Sequence, residues 1–225
     1  LGVGRGDRVG LWLPMGLEAA LALLAVAHLG GIAVPIFSGY GAEAAALRLK
    51  DAEAKLLIVQ DGFLRRGRRV ELLPEARKAR AMAGTEKVAV VRRLGLPLEE
   101  EADLAALAGP LSPPEEMESM DPFMLIYTSG TTGAPKGAVL THGNLLANSE
   151  ALERAWRWTA EDRLVLALPL FHAHGLCNGL HGTLLAGASS VLLPGFSVDG
   201  VLDAAMAHDA TLFFGVPTMY HRLAA

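Results

Sequence analysis

The residues best equipped for chemistry lie between Tyr127 and Gly137, which read Y-T-S-G-T-T-G-A-P-K-G. Thr128, Ser129, Thr131 and Thr132 supply hydroxyls that donate to phosphate oxygens. Gly130, Gly133 and Gly137 let backbone N–H groups turn toward an anion. Lys136 adds a compact positive charge. Such a set suits a triphosphate or a pyrophosphate. It is not the P-loop G-x-x-x-x-G-K-[ST], because Pro135 precedes Lys136 and Gly137 stands where a metal-binding hydroxyl belongs. A plain Gly/Thr surface loop is the competing reading. The dense hydroxyls, the lysine and the apolar run before them weigh against it.

A second segment, P-L-F-H-A-H-G-L from Pro169 to Leu176, follows another apolar run, which puts His172 at a strand end beside a pocket. Zinc on His172 and His174 would need further ligands, and no third one is nearby. A histidine satisfied by backbone groups is the other alternative. Cys177 as a nucleophile would need a paired histidine and an orienting group, and a small buried hydrophobe is the better reading. A third segment, G-V-P-T-M-Y from Gly215 to Tyr220, reads on its own as a strand followed by a helix with proline near its start.

These segments need elements to position them. Apolar periodicity predicts a short run at 9–13, a helix at 17–29 closed by Gly30-Gly31, and a strand at 32–37. A helix at 42–52 and a strand at 55–59 come next. The basic run Arg65-Arg66-Gly67-Arg68-Arg69 reads as a solvated loop, then come a helix at 72–82 and a strand at 87–92. Residues 96–121, with Glu99-Glu100-Glu101 and three prolines, read as a solvated linker and a soft boundary. Beyond it come a strand at 123–127, the glycine-rich loop, and a helix-forming segment with its helix at 141–158. The series closes with strand 164–168, helix 176–185, strand 190–193, helix 198–207 and strand 211–214. Continuously apolar strands alternating with helices predict an α/β fold, two βα-layered subdomains with largely parallel sheets.

Composition excludes several classes. At 52% hydrophobic and 20% charged the chain is no disordered segment. A net charge of −4 argues against a nucleic-acid partner. The run 19–37 is long and nearly uncharged, but Gly30-Gly31 and Pro35 divide it, so no membrane span is expected. A single cysteine offers no internal disulfide, which fits a reducing, cytoplasmic setting. Leu1 as first residue, and a helix just begun at Ala225, give the expectation of a piece of a longer chain. Oligomeric state is not legible.

From Tyr127 to His142, Y-T-S-G-T-T-G-A-P-K-G-A-V-L-T-H resembles the signature of the acyl-adenylate-forming superfamily. Gly4–Val9 with Leu13-Pro14, Gly30–Pro35, and Asp51-Ala52-Glu53-Ala54-Lys55 extend the likeness over nearly the whole chain. The N-terminal half looks most like acetyl- and propionyl-type synthetases. His-Ala-His-Gly-Leu, Leu-Leu-Ala-Gly-Ala at 184–188 and Gly-Val-Pro-Thr-Met-Tyr resemble malonyl-CoA synthetases instead.

The resemblance implies a truncated part of the N-terminal AMP-binding domain, spanning 1–225, of an ATP-dependent acid–CoA ligase. It implies that Thr128, Ser129, Gly130, Thr131, Thr132, Gly133 and Lys136 embrace the ATP phosphates, and that Thr128 helps to hold Mg²⁺. Lys136 and His172 become the catalytic candidates. His172, Gly175 and Thr218 become the pocket for a small carboxylic acid, with His172 also near the route of the CoA thiol. The family's metal-sharing Glu, adenine and ribose contacts and mobile C-terminal domain are expected beyond Ala225, so the chain alone is expected to be inactive. Transfer to a carrier protein and a non-catalytic nucleotide-binding remnant remain alternatives.

Overall fold

The computed structural model describes residues 1–65, 67–107, 109–110, 112–128 and 135–225. They form two compact units, one of residues 1–14 and 21–141, the other of residues 15–20 and 142–225. The chain passes from the first to the second between Thr141 and His142, and the stretch 96–121, expected as a boundary, lies inside the first unit.

The first unit is built on a seven-stranded sheet. In chain order its elements are β1 (Arg8–Trp12), α1 (Leu17–His28, whose first turn belongs to the second unit), β2 (Ile32–Pro35), α2 (Ala42–Asp51) and β3 (Leu56–Gln60). A hairpin of β4 (Gly62–Arg65) and β5 (Arg68–Glu71) comes next, then α3 (Leu73–Ala83), β6 (Lys87–Val91) and β7 (Ala102–Asp103). β8 (Pro122–Thr128) and β9 (Lys136–Thr141) complete it. The strand order is β7-β6-β3-β1-β2-β8-β9, parallel throughout except for β9, which runs antiparallel to β8 at the edge.

Helices α2 and α3 cover one face of this sheet. Trp12, Ile36, Leu49, Leu57, Val59, Leu73, Val88 and Val90 share that core. The Trp12 indole N–H donates to the Phe37 carbonyl at 3.0 Å, so burying the ring orphans no donor. Glycine at the N-cap of α2 provides no side-chain acceptor, and Glu75 of α3 accepts the Ala42 N–H at 3.1 Å instead.

Two sequence readings change here. The basic run is not simply a loop, since Arg65 and Arg68 close the β4–β5 hairpin. The acidic run is not a free linker either. Glu99 and Glu101 bind Arg77, and Glu100 binds Arg80, which fastens the segment to α3. The Glu101 side chain is only 3% exposed, and its hydrogen bond with Arg77 holds its carboxyl down at about 2.

Asp61 organises the C-terminal end of β3. Its carboxylate is fully buried and accepts N–H groups from Arg93, Leu94, Gly95 and Leu96 at 2.7–3.1 Å. Burial pushes this carboxyl up, but the backbone donors outweigh it and the net direction is down.

The second unit has a three-stranded parallel sheet, β11-β10-β12, of β10 (Arg163–Leu166), β11 (Ser189–Leu192) and β12 (Leu212–Phe213). Its helices are α4 (His142–Trp156), a π-helix (His174–His181) running directly into α5 (Gly182–Leu185), α6 (Val198–Ala207) and α7 (Pro217–Leu223). Ser197 caps α6, its hydroxyl accepting the Gly200 N–H at 3.1 Å, a bond worth about 1 kcal/mol. Val165, Ala167, Val201 and Ala204 pack as the core between β10 and α6. Among the described residues no helix is long and apolar enough to cross a membrane. The run 19–37 divides into most of α1, a glycine turn and β2.

Candidate active site

Thr128 ends β8 and Lys136 begins β9, and the two are directly opposite in the antiparallel register. The hydroxyl and the ammonium therefore flank the two ends of the intervening loop on one face of the hairpin. Both residues are exposed. Ser129, Gly130, Thr131, Thr132 and Gly133 lie outside the described residues. The element after the loop differs from the sequence reading. A strand, not a helix, leaves it, so the loop runs into β9 and gains no helix N-terminus of the kind that draws phosphate into a P-loop.

Gly137 also has a different task from the one expected. It lies in β9 opposite Tyr127, and a Cβ there would come within 3.2–3.5 Å of the tyrosine ring and hydroxyl. The missing side chain makes room for that ring. Tyr127 in turn donates its hydroxyl to Asp51 at 2.5 Å. Burial and then the Asp51 carboxylate both push the phenol pKa up, with Arg48 opposing. The Arg48 guanidinium is 5.9 Å from the centre of the Tyr127 ring and 4.2 Å from that of Tyr40. Asp51 is the last residue of α2, where a negative charge opposes the helix dipole by roughly 0.3–1 kcal/mol. Sequence reasoning did not single out Tyr127, Asp51 or Arg48 as site residues. The one available signal was that misplaced acid.

In the second unit His172 and Thr218 sit beyond the C-terminal ends of β10 and β12, which are neighbouring parallel strands. Topology thus brings the loop bearing His172 and the N-terminal turn of α7, bearing Thr218, to one edge of one sheet. Both side chains are exposed. The His172 N–H donates to the Pro169 carbonyl and its own carbonyl accepts Leu176 N–H, while its ring lies 4.5 Å from Phe171.

Gly175 is buried, and its place is structural. A Cβ there would fall 2.4 Å from the Pro169 carbonyl oxygen and 2.7 Å from that of Leu168. A Cβ on Gly179, one further turn on, would fall 2.7 Å from the Leu166 side chain. The two glycines let the π-helix rest its backbone on the end of β10. Cys177 is buried, and desolvation raises its thiol to about 11, so it is neutral and serves as a small hydrophobe. Among the described residues no group of three or more His, Cys, Asp or Glu gathers as a metal cage.

The AMP-binding enzyme family matches residues 1–225. The chain belongs to that family. It is 33% identical over 238 residues to an acetyl-coenzyme A synthetase of Xanthomonas axonopodis pv. citri, covering 99% of this chain and 37% of that protein. Against the acetyl-coenzyme A synthetase of Streptomyces avermitilis the identity is 41% over 166 residues, 69% of this chain and 25% of the relative. ATP-bound MatB from Rhodopseudomonas palustris superposes with a TM-score of 0.82 at 35% identity, over 99% of this chain and 41% of that one. This family member therefore spans well under half the length of these three relatives. Its α/β fold with mostly parallel sheets is theirs over that span.

Proposed function

We propose that the protein carrying this chain activates a small carboxylic acid with ATP and passes the acyl group to the thiol of CoA. The observation that carries the reading is the Thr128–Lys136 pair closing a hydroxyl-rich loop, in a chain similar to acetyl-coenzyme A synthetases and to ATP-bound MatB. A carboxylate oxygen attacks the α-phosphorus, the bond to the bridging oxygen breaks, and pyrophosphate leaves. The thiol sulfur then attacks the acyl carbon, loses its proton, and AMP departs.

Both steps bring anions together, so the protein's task is to neutralise charge and align reactants. Lys136 sets its ammonium against the phosphates. The Thr128 hydroxyl donates to a phosphate oxygen. His172 and Thr218, at one edge of the second sheet, border the acid, and Gly175 shapes that border from behind. Mg²⁺ riding on the phosphates would supply further charge neutralisation, with the Thr128 oxygen as one of its ligands, in keeping with a cation held mainly through substrate phosphates. The mixed likeness, acetyl-type toward the N-terminus and malonyl-type in the later motifs, supports a short-chain or small dicarboxylic acid.

The test is pyrophosphate release by the full-length protein with acetate, propionate and malonate, with and without CoA. Lys136→Ala lowers turnover by about 10²- to 10³-fold on this reading. Unchanged turnover removes Lys136 from the mechanism, and no release with any acid sinks the assignment. The isolated 225-residue chain is proposed to lack acid-dependent ATP–pyrophosphate exchange. Exchange by that chain would refute this last point alone.

A further inference from the structure

We propose that Tyr127 and Asp51 form a latch that positions Thr128 and Lys136 for the nucleotide phosphates, an inference that rests on the function proposed above. Side chains alternate across a strand, so Tyr127 projects from the face of the hairpin opposite to Thr128, and Gly137 from the face opposite to Lys136. The phosphate-facing side is thus left free while the rear side is tied down.

The tie has three parts. Gly137 admits the Tyr127 ring directly across the strand pair. The Tyr127 hydroxyl reaches the Asp51 carboxylate at 2.5 Å, a charge-assisted bond. Arg48, buried in the same helix, donates to the Tyr40 hydroxyl at 3.2 Å and to the Ala44 carbonyl at 2.6 Å, which fixes it beside the Tyr127 ring.

The location makes this more than a packing contact. β9 is an edge strand, held on one side only, and β8 meets its other neighbour β2 at the Ala33–Met124 pair, well back from Thr128. The end of the hairpin that bears Thr128 and Lys136 therefore has little of the sheet to lean on. Its described anchor is the C-terminus of α2, a helix packed in the main core of the unit. Asp51 stands at the end of a helix that is unfavourable for an acid, and bonding the Tyr127 hydroxyl gives that placement a purpose. Tyr127 and Asp51 are positioning residues, touching no substrate themselves.

The experiment uses the full-length ligase with ATP varied and acid and CoA saturating. Tyr127→Phe raises the KM for ATP about five- to tenfold, with the KM for acid and for CoA moving less than about twofold. Asp51→Ala does the same, and the double variant is no worse than either single one, because both remove one shared bond. Asp51→Asn keeps an acceptor oxygen and recovers most of the affinity. An ATP KM unmoved by Tyr127→Phe, in an enzyme that Lys136→Ala does cripple, overturns the latch and leaves the phosphate reading intact. If Lys136→Ala is harmless, the phosphate reading falls and the latch with it. Additive single variants, or a lowered melting temperature with all three KM values shifted alike, show an ordinary structural contact and also refute the proposal.

Discussion

The two units carry their site residues in different ways. In the first, Thr128 and Lys136 ride on an antiparallel hairpin whose register sets them face to face, and a polar bond from Tyr127 to Asp51 ties the hairpin down. In the second, His172 and Thr218 come after parallel strands, and what braces His172 is bare backbone, with Gly175 laid on the carbonyls of Leu168 and Pro169. The interiors differ in the same sense. The first unit buries a carboxylate, Asp61, and surrounds it with four backbone donors. The second buries a histidine, His181, whose desolvation keeps it neutral down to about 4. The first unit thus satisfies a buried charge at Asp61, whereas the second excludes one at His181.

Substitution at the two braces should break each unit by its own route. Asp61→Ala strips the N–H groups of residues 93–96 of their shared, fully buried acceptor and should cost about 4 kcal/mol, read as a shifted denaturation midpoint. A loss below about 1 kcal/mol would mean water replaces the carboxylate. Gly175→Ala drives a methyl into two carbonyl oxygens and should cost about 3 kcal/mol, with protection from hydrogen exchange lost mainly within residues 142–225. Loss spread evenly over both units would erase the distinction.

Acid should separate the units without any mutation. The folded pKa of His181 lies below its unfolded value near 6.5, so the folded state binds the proton less well than the unfolded one. Stability from this group is full above that value and falls as pH drops toward about 4, by on the order of 2–3 kcal/mol. Asp61 and Glu101 are also depressed, but from unfolded values near 4, so their contributions are full above that range and are lost only as the pH falls below it, for Glu101 toward about 2. At about pH 5 the second unit should therefore open before the first. Exchange protection lost first in the first unit would reverse the assignment. The smallest effect is Gly137→Ala, which crowds the Tyr127 ring and should cost about 1 kcal/mol. An unchanged melting temperature there would show that the ring yields without penalty.

The strands of the central sheets were legible because they carry uninterrupted apolar runs, as 56–59 in β3 and 164–166 in β10 show. Helix α6 coincides with its predicted span, and Ser197 caps its start. β9 escaped notice because Lys136–Thr141 is a largely exposed edge strand that begins with Lys-Gly, next to glycines and a proline. The β4–β5 hairpin hid behind its arginines. The run 99–101 looked solvated because its partners, Arg77 and Arg80, lie about twenty residues away in sequence and meet it only once α3 has packed. At the candidate site, residue types suggested phosphate chemistry, whereas the bond to Asp51 spans 76 residues and has no local mark. The π-helix has none either. The resemblance placed Gly175 beside a pocket, and a Cβ added there would meet the carbonyls of Leu168 and Pro169.

That the glycine-rich loop joins two paired strands has a consequence for dissection of the protein. A chain severed between Thr128 and Pro135 would leave two pieces in which Thr128 and Lys136 already pair, with register back to Pro122–Thr141 to guide them together. Coexpressed halves cut at this point should reassemble, with Tyr127 over Gly137 selecting the right alignment, so the glycine-rich loop doubles as a natural seam for a split protein.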